Sequence, residues 1–190
     1  MPRPLAAVAL LLLAPFARGD APPPTDVLPA PLRAAFPDAD RFDPSDVILT
    51  DEMARRLDEL ARSRIPERMV TFYVARKGPA SPGNPGGQVL GYAVVQSHVV
   101  RTKRETLLLA FEPDGRIRRV VVLSFLEPPE YRPSERWLAQ LAGKGTADRT
   151  AVGDDLAPIT GSTLSARGVA EQSRWLLQAL SMSRKAGKVP

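Results

Sequence analysis

The sequence predicts an α+β fold: an antiparallel sheet of about four strands, with one helix before it and helices after it. Strand-like alternation is confined to residues 69–125 and is broken by turn residues at hairpin spacing. Helical periodicity lies on either side, at 50–61, 134–141 and 164–182. Consecutive strands are joined by short connections, which suit antiparallel neighbours.

Thr50 supplies an N-cap for the first helix, where Met53, Leu57 and Leu60 recur at helical spacing up to Ala61. In 69–76, Val70, Phe72 and Val74 alternate with Thr71 and Tyr73, the pattern of a half-buried strand. A loop of Gly, Pro, Ser and Asn at 78–87 separates it from the second strand, 88–96. The third strand is 106–111. Pro113-Asp114-Gly115 then turns the chain into the fourth, 116–125, with its β-branched run Val120-Val121-Val122. Prolines break 126–133, after which Ser134 caps a short helix carrying Trp137, Leu138 and Leu141. Residues 143–159 show no periodicity. The last helix, 164–182, offers Val169, Trp175, Leu176 and Leu180 as its buried face. Residues 184–190 read as a loose tail.

Residues 1–19 have the form of an export signal: a basic start with Arg3, an apolar run at 5–16, and Ala17-Arg18-Gly19 at the processing site. The apolar run is too short to span a bilayer, and an uncleaved anchor is the alternative to a cleaved signal. The mature chain then starts at Asp20 with a Pro- and Ala-rich tether, 20–37, and continues as one domain at 38–183. The expected location is periplasmic or otherwise extracytoplasmic. With no cysteine, disulfides, thiolate metal ligands and cysteine nucleophiles are excluded. The net charge of +5 falls to +3 once Arg3 and Arg18 leave with the signal, and the remaining basic residues are interspersed with acids. Nucleic acid is therefore a poor partner.

The chemistry concentrates where the last helix begins, at Thr160, Gly161, Ser162, Thr163, Leu164 and Ser165. Hydroxyl residues beside a glycine at a helix start are commonly just caps. The same place can hold a phosphate, because the first N–H groups of a helix lack partners. His98 is the only histidine and has no second ligand type beside it, so no role is assigned to it. Glu127 and Glu130 flank Pro128-Pro129 in a turn where solvated acids are the ordinary case. Arg101, Lys103 and Arg104 form a basic hairpin tip suited to an acidic redox partner.

Thr160-Gly161-Ser162-Thr163 resembles the Ser/Thr-Gly-Ala-Thr motif of the FMN-binding domain family, which includes covalent-FMN subunits of the sodium-translocating NADH:quinone oxidoreductase and the Rnf complex. The similarity extends in order through Gly91-Tyr92-Ala93-Val94-Val95, the 110–117 segment, Glu127-Pro128, and the run from Trp137 to Lys144 with Gln140 and Gly143. It covers roughly residues 46–180. Two positions differ: Ser162 replaces the motif's Ala, and Ala157 stands where the family usually carries Asp, with Asp155 two residues earlier.

The resemblance implies a domain with an FMN-binding-domain-like fold. It implies FMN esterified to Thr163 by an exported flavin transferase, with Thr160, Gly161, Ser162, Leu164 and Ser165 around the attachment point. Trp137 and Tyr131 are candidates to pack on the ring, with a core or surface aromatic as the alternative; Glu127 is a further cofactor-binding candidate, and Lys144 is a candidate for meeting the phosphate or the reduced flavin, with a solvated surface lysine as its alternative. The function it implies is electron transfer between membrane or periplasmic redox proteins, without a small-molecule substrate of its own. A flavin-free binding or assembly module on the same fold is the alternative, and a flavin-dependent reductase is a third reading.

Overall fold

The computed structural model describes residues 29–64, 67–79 and 86–190. The expected export signal and residues 20–28 of the tether lie outside them. In the second half of the Pro- and Ala-rich stretch, Pro29–Ala35 form a helix, α1. Leu32 and Phe36, one helical turn apart, are buried against Ala75, Ala93, Leu108 and Ala110 on one face of the sheet. That burial outweighs the weak local signal of a Pro- and Ala-rich stretch.

Among the described residues the sheet has five strands rather than about four, in the order β1 (Arg41–Ile48), β2 (Met69–Lys77), β3 (Gln88–Val99), β4 (Arg104–Phe111) and β5 (Ile117–Phe125). Every neighbouring pair is antiparallel, as the short connections predict. The strand missing from the sequence reading is β1, whose centre holds Pro44 opposite Tyr73. Proline cannot donate to a ladder, so it is confined to edge strands, and β1 is an edge.

The other sheet face carries the main core. α2 (Asp51–Ala61) and the long helix α4 (Thr163–Lys185) pack there, with the short α3 (Glu135–Leu138) beside β5. Thr50 caps α2 by accepting from the Met53 N–H at 3.2 Å. Val169, Trp175, Leu176 and Leu180 of α4 are all buried against Phe72, Tyr92, Leu107, Leu109 and Phe111 of the sheet. Beyond α4 the chain is not loose. Val189 is 1% exposed within this core, Ser45 Oγ donates to the Lys188 carbonyl at 2.9 Å, and the Tyr92 hydroxyl donates to the Pro190 carbonyl. Apolar burial of a single valine, invisible in local periodicity, straps the end of the chain to the sheet.

Candidate functional site

α4 begins at Thr163, one residue before the sequence suggests, and the residues before it are held in an unusual way. Gly161 has φ +85°, the left-handed region that favours glycine. Ser162 occupies the N-cap position, but among the described residues no side chain caps the helix. The Ser162 hydroxyl instead donates to the Glu130 carbonyl at 3.3 Å. The Thr163 hydroxyl donates back to the Ile159 carbonyl at 2.9 Å. Thr160 and Gly161 are exposed, Thr163 is half-buried, and Leu164 is 47% exposed. Ser162 and Ser165 are buried, Ser162 against the 130–132 carbonyls and Ser165 in the core.

The segment that delivers this motif is fixed by residues expected at the cofactor. Trp137 is 4% exposed in the main core, and its Nε1–H donates to the Ala157 carbonyl at 2.7 Å. Gln140 Oε1 accepts from the Ala157 N–H at 2.8 Å. Both backbone groups of Ala157 are thus held by one face of the Trp137–Gln140 turn, and the indole is committed to the core rather than offered to a ring. Ser134 orders that turn by capping α3 through the Trp137 N–H.

Lys144 serves the same loop. Its Nζ lies 2.7 Å from Asp155 Oδ2, and Asp155 also accepts from the backbone N–H groups of Thr150 and Ala151 at 3.1 and 2.8 Å. Burial alone would raise the Asp155 pKa. Hydrogen bonds from Lys144, Ala151 and Thr150, together with the lysine charge, outweigh it and bring the value from 3.8 down to about 2. Thr150 needs this support, since it is fully buried with φ +47°, a costly conformation for a β-branched residue. Asp155 therefore belongs to the loop lock, and Lys144 is paired there rather than presented at the motif.

Glu127 is also engaged, at the tip of the β3–β4 hairpin. Its Oε1 accepts from the N–H groups of Thr102 and Lys103 at 2.8 Å each and of Arg101 at 3.3 Å. These backbone hydrogen bonds, Thr102 first, lower its pKa by favouring the ionised form. The Arg101 guanidinium sits 4.2 Å from the ring centroid of Tyr131, so this aromatic is covered by a cation. The basic tip is consequently an ordered feature, joined to the 127–132 segment whose carbonyls receive Ser162.

One pair near the motif is not evident from sequence reading. His98 and Glu105 are direct partners across β3 and β4, with His98 Nε2 3.2 Å from Glu105 Oε2 and the carboxylate fully buried. The period-2 series Tyr92, Val94, Gln96 places His98 on the α4 face, which is the signal that was available.

Among the described residues no helix is long and apolar enough to cross a membrane. Compared with family models, curated proteins and solved structures, the chain matches none.

Proposed function

We propose that this domain carries FMN through a phosphoester on Thr163 and relays electrons between redox proteins outside the cytoplasm. The observation that supports this most is the start of α4. A helix of 23 residues begins with no side-chain cap among the described residues, although two hydroxyls stand at that very point and both are turned to carbonyls. Its first N–H groups and partial positive charge suit a phosphate. Thr160 and Gly161 are exposed and leave the backbone approachable on that side, so the residues present fit the group. Thr163 is the half-buried hydroxyl at that point, and esterification there sacrifices one hydrogen bond, to the Ile159 carbonyl.

When bound, the flavin supplies the one- and two-electron chemistry. The chain's part is to position: Trp137 and Gln140 hold Ala157, Lys144 and Asp155 hold 150–151, and the motif leaves that fixed loop as α4 begins. An exported flavin transferase makes the ester, and the ordered basic tip at Arg101 and Lys103 receives an acidic redox partner. As a carrier the domain turns over no diffusible substrate.

A second reading has its own observation. Trp137, Lys144 and Glu127 are all committed to internal contacts, so the same scaffold also suits a flavin-free binding or assembly module. Intact mass spectrometry of the chain co-expressed with a flavin transferase separates the two. One added FMN, lost in Thr163→Ala, is the expected result. An unmodified, colourless and folded protein favours the module, and FMN retained in Thr163→Ala refutes the attachment site.

A further inference from the structure

The start of α4 adjoins a surface cavity of about 380 Å³. One wall is α4, through Leu164, Arg167 and Gln172; the other is the end of β3, through His98 and Val99. Its lining is apolar, polar and charged, the charges being Arg167 and Glu171. Val99 and Leu164 are 58% and 47% exposed, apolar surface that gains from being covered. His98 and Gln172 are polar and nearly buried. Among the described residues, His98 Nδ1 has no hydrogen-bond partner, its Nε2 being the atom that faces Glu105 at 3.2 Å, and Gln172 Oε1 has none either. Gln172 is only 7% exposed, and buried polar atoms without partners are uncommon.

Position links this cavity to the motif. Leu164 follows Thr163 directly, and Arg167 lies four residues on, over the same helical face as Thr163. A phosphate esterified to the Thr163 hydroxyl therefore starts one residue along the helix from this lining, and the ribityl chain of the flavin spans the remainder. The volume falls near the lower end of the roughly 300–1,000 Å³ typical of small-molecule sites, which suits one ring system rather than a whole nucleotide.

We infer that this cavity seats the isoalloxazine ring of the flavin carried on Thr163, an inference that rests on the covalent reading above. Val99 and Leu164 provide the apolar contacts for the benzenoid half. His98 and Gln172 provide the polar contacts for the edge that bears an N–H donor and carbonyl acceptors, with Glu105 fixing His98 from behind. Arg167 brings a positive charge to the lining and Glu171 a negative one, so the ring is held by apolar and polar contacts rather than by net charge. The side chains that hold the ring are thus on β3 and α4, not among the aromatic residues of the 131–137 segment.

The test uses the flavinylated full chain and two readouts. Intact mass reports attachment, and iodide quenching of flavin fluorescence reports ring exposure. Seating predicts quenching about threefold or more below that of free FMN, since pocket ligands bury ~70–90% of their surface. Val99→Gln, at an exposed position away from the motif, is expected to keep the added mass and raise quenching toward the free value. Wild-type quenching equal to free FMN, or quenching unchanged in Val99→Gln, overturns the seat and leaves the Thr163 attachment standing. Absence of the added mass overturns both.

Discussion

Replacing Asp155 with Asn removes the charge that ties Lys144 to the backbone of Thr150 and Ala151. The folded carboxylate has a pKa of about 2 against an ordinary 3.8. At ~1.36 kcal/mol for each pH unit, that depression corresponds to between about 2 and 3 kcal/mol. The carboxylate is 25% exposed, so solvent screening trims the expected effect to about 2 kcal/mol. Because the folded pKa is the lower one, this stability is fully present above pH 3.8 and is lost as the pH falls through 2. Urea unfolding of wild type and Asp155→Asn across pH 7 to pH 2 reads it directly. The two curves should stand about 2 kcal/mol apart at neutral pH and converge in acid. A gap that stays constant over the whole range would refute the assignment, since it would trace the loss to packing rather than to the ionised carboxylate.

Two other perturbations probe the scaffold. Trp137→Phe keeps most of the buried ring but removes the Nε1–H bond to Ala157 at 2.7 Å; a loss of about 1–2 kcal/mol is expected, with faster proteolysis within 150–160. Unchanged cleavage would show that the indole does not hold this loop. Gly91→Ala brings a Cβ to 2.2 Å from the Phe111 carbonyl oxygen and 2.6 Å from Phe36 Cε1, at φ +149°. Backbone strain and overlap together predict a loss of about 3 kcal/mol or more by chemical denaturation, and a loss below about 1 kcal/mol would refute the close approach of β3 to the Phe111 carbonyl.

Strands β2 to β5 and helices α2 and α4 were legible because each buries one face and writes that face into its local pattern: Val70, Phe72 and Val74 in β2, Val169, Leu176 and Leu180 in α4. What escaped was set by partners far away in the chain. β1 is defined by β2 and interrupted by Pro44; α1 is held by the flat, small-residue patch Ala75, Ala93 and Ala110; and Val189 is held by a core assembled from the whole sheet. At the candidate site the same division holds. The helix start at Thr163 is a local feature, and sequence located it to within one residue. The Trp137 indole goes to the carbonyl of 157, the Lys144 amine to the Asp155 side chain, and the Glu127 carboxylate to the N–H groups of 101–103, destinations which no spacing encodes.

Those destinations change what the ordered set of motif-like residues means. A Trp, a Gln, a Lys and an acid arranged before a Thr-Gly-Ser-Thr turn invite assignment as ligands. Here each satisfies a backbone group, or a carboxylate that does so, in an irregular segment of the chain, where unpaired amides and carbonyls would otherwise be left. Such a segment has no helix or strand ladder to keep it in place, so side chains must supply its rigidity. An attachment point needs that rigidity more than it needs extra ligands, because a phosphate at an uncapped helix start is already served by N–H donors that follow the backbone. An uncapped start forgoes roughly 1 kcal/mol of helix stability, and the packing of α4 along the sheet offsets it. Loosening the loop should therefore weaken the placement of anything carried on Thr163 while leaving the helix, and its donors, intact.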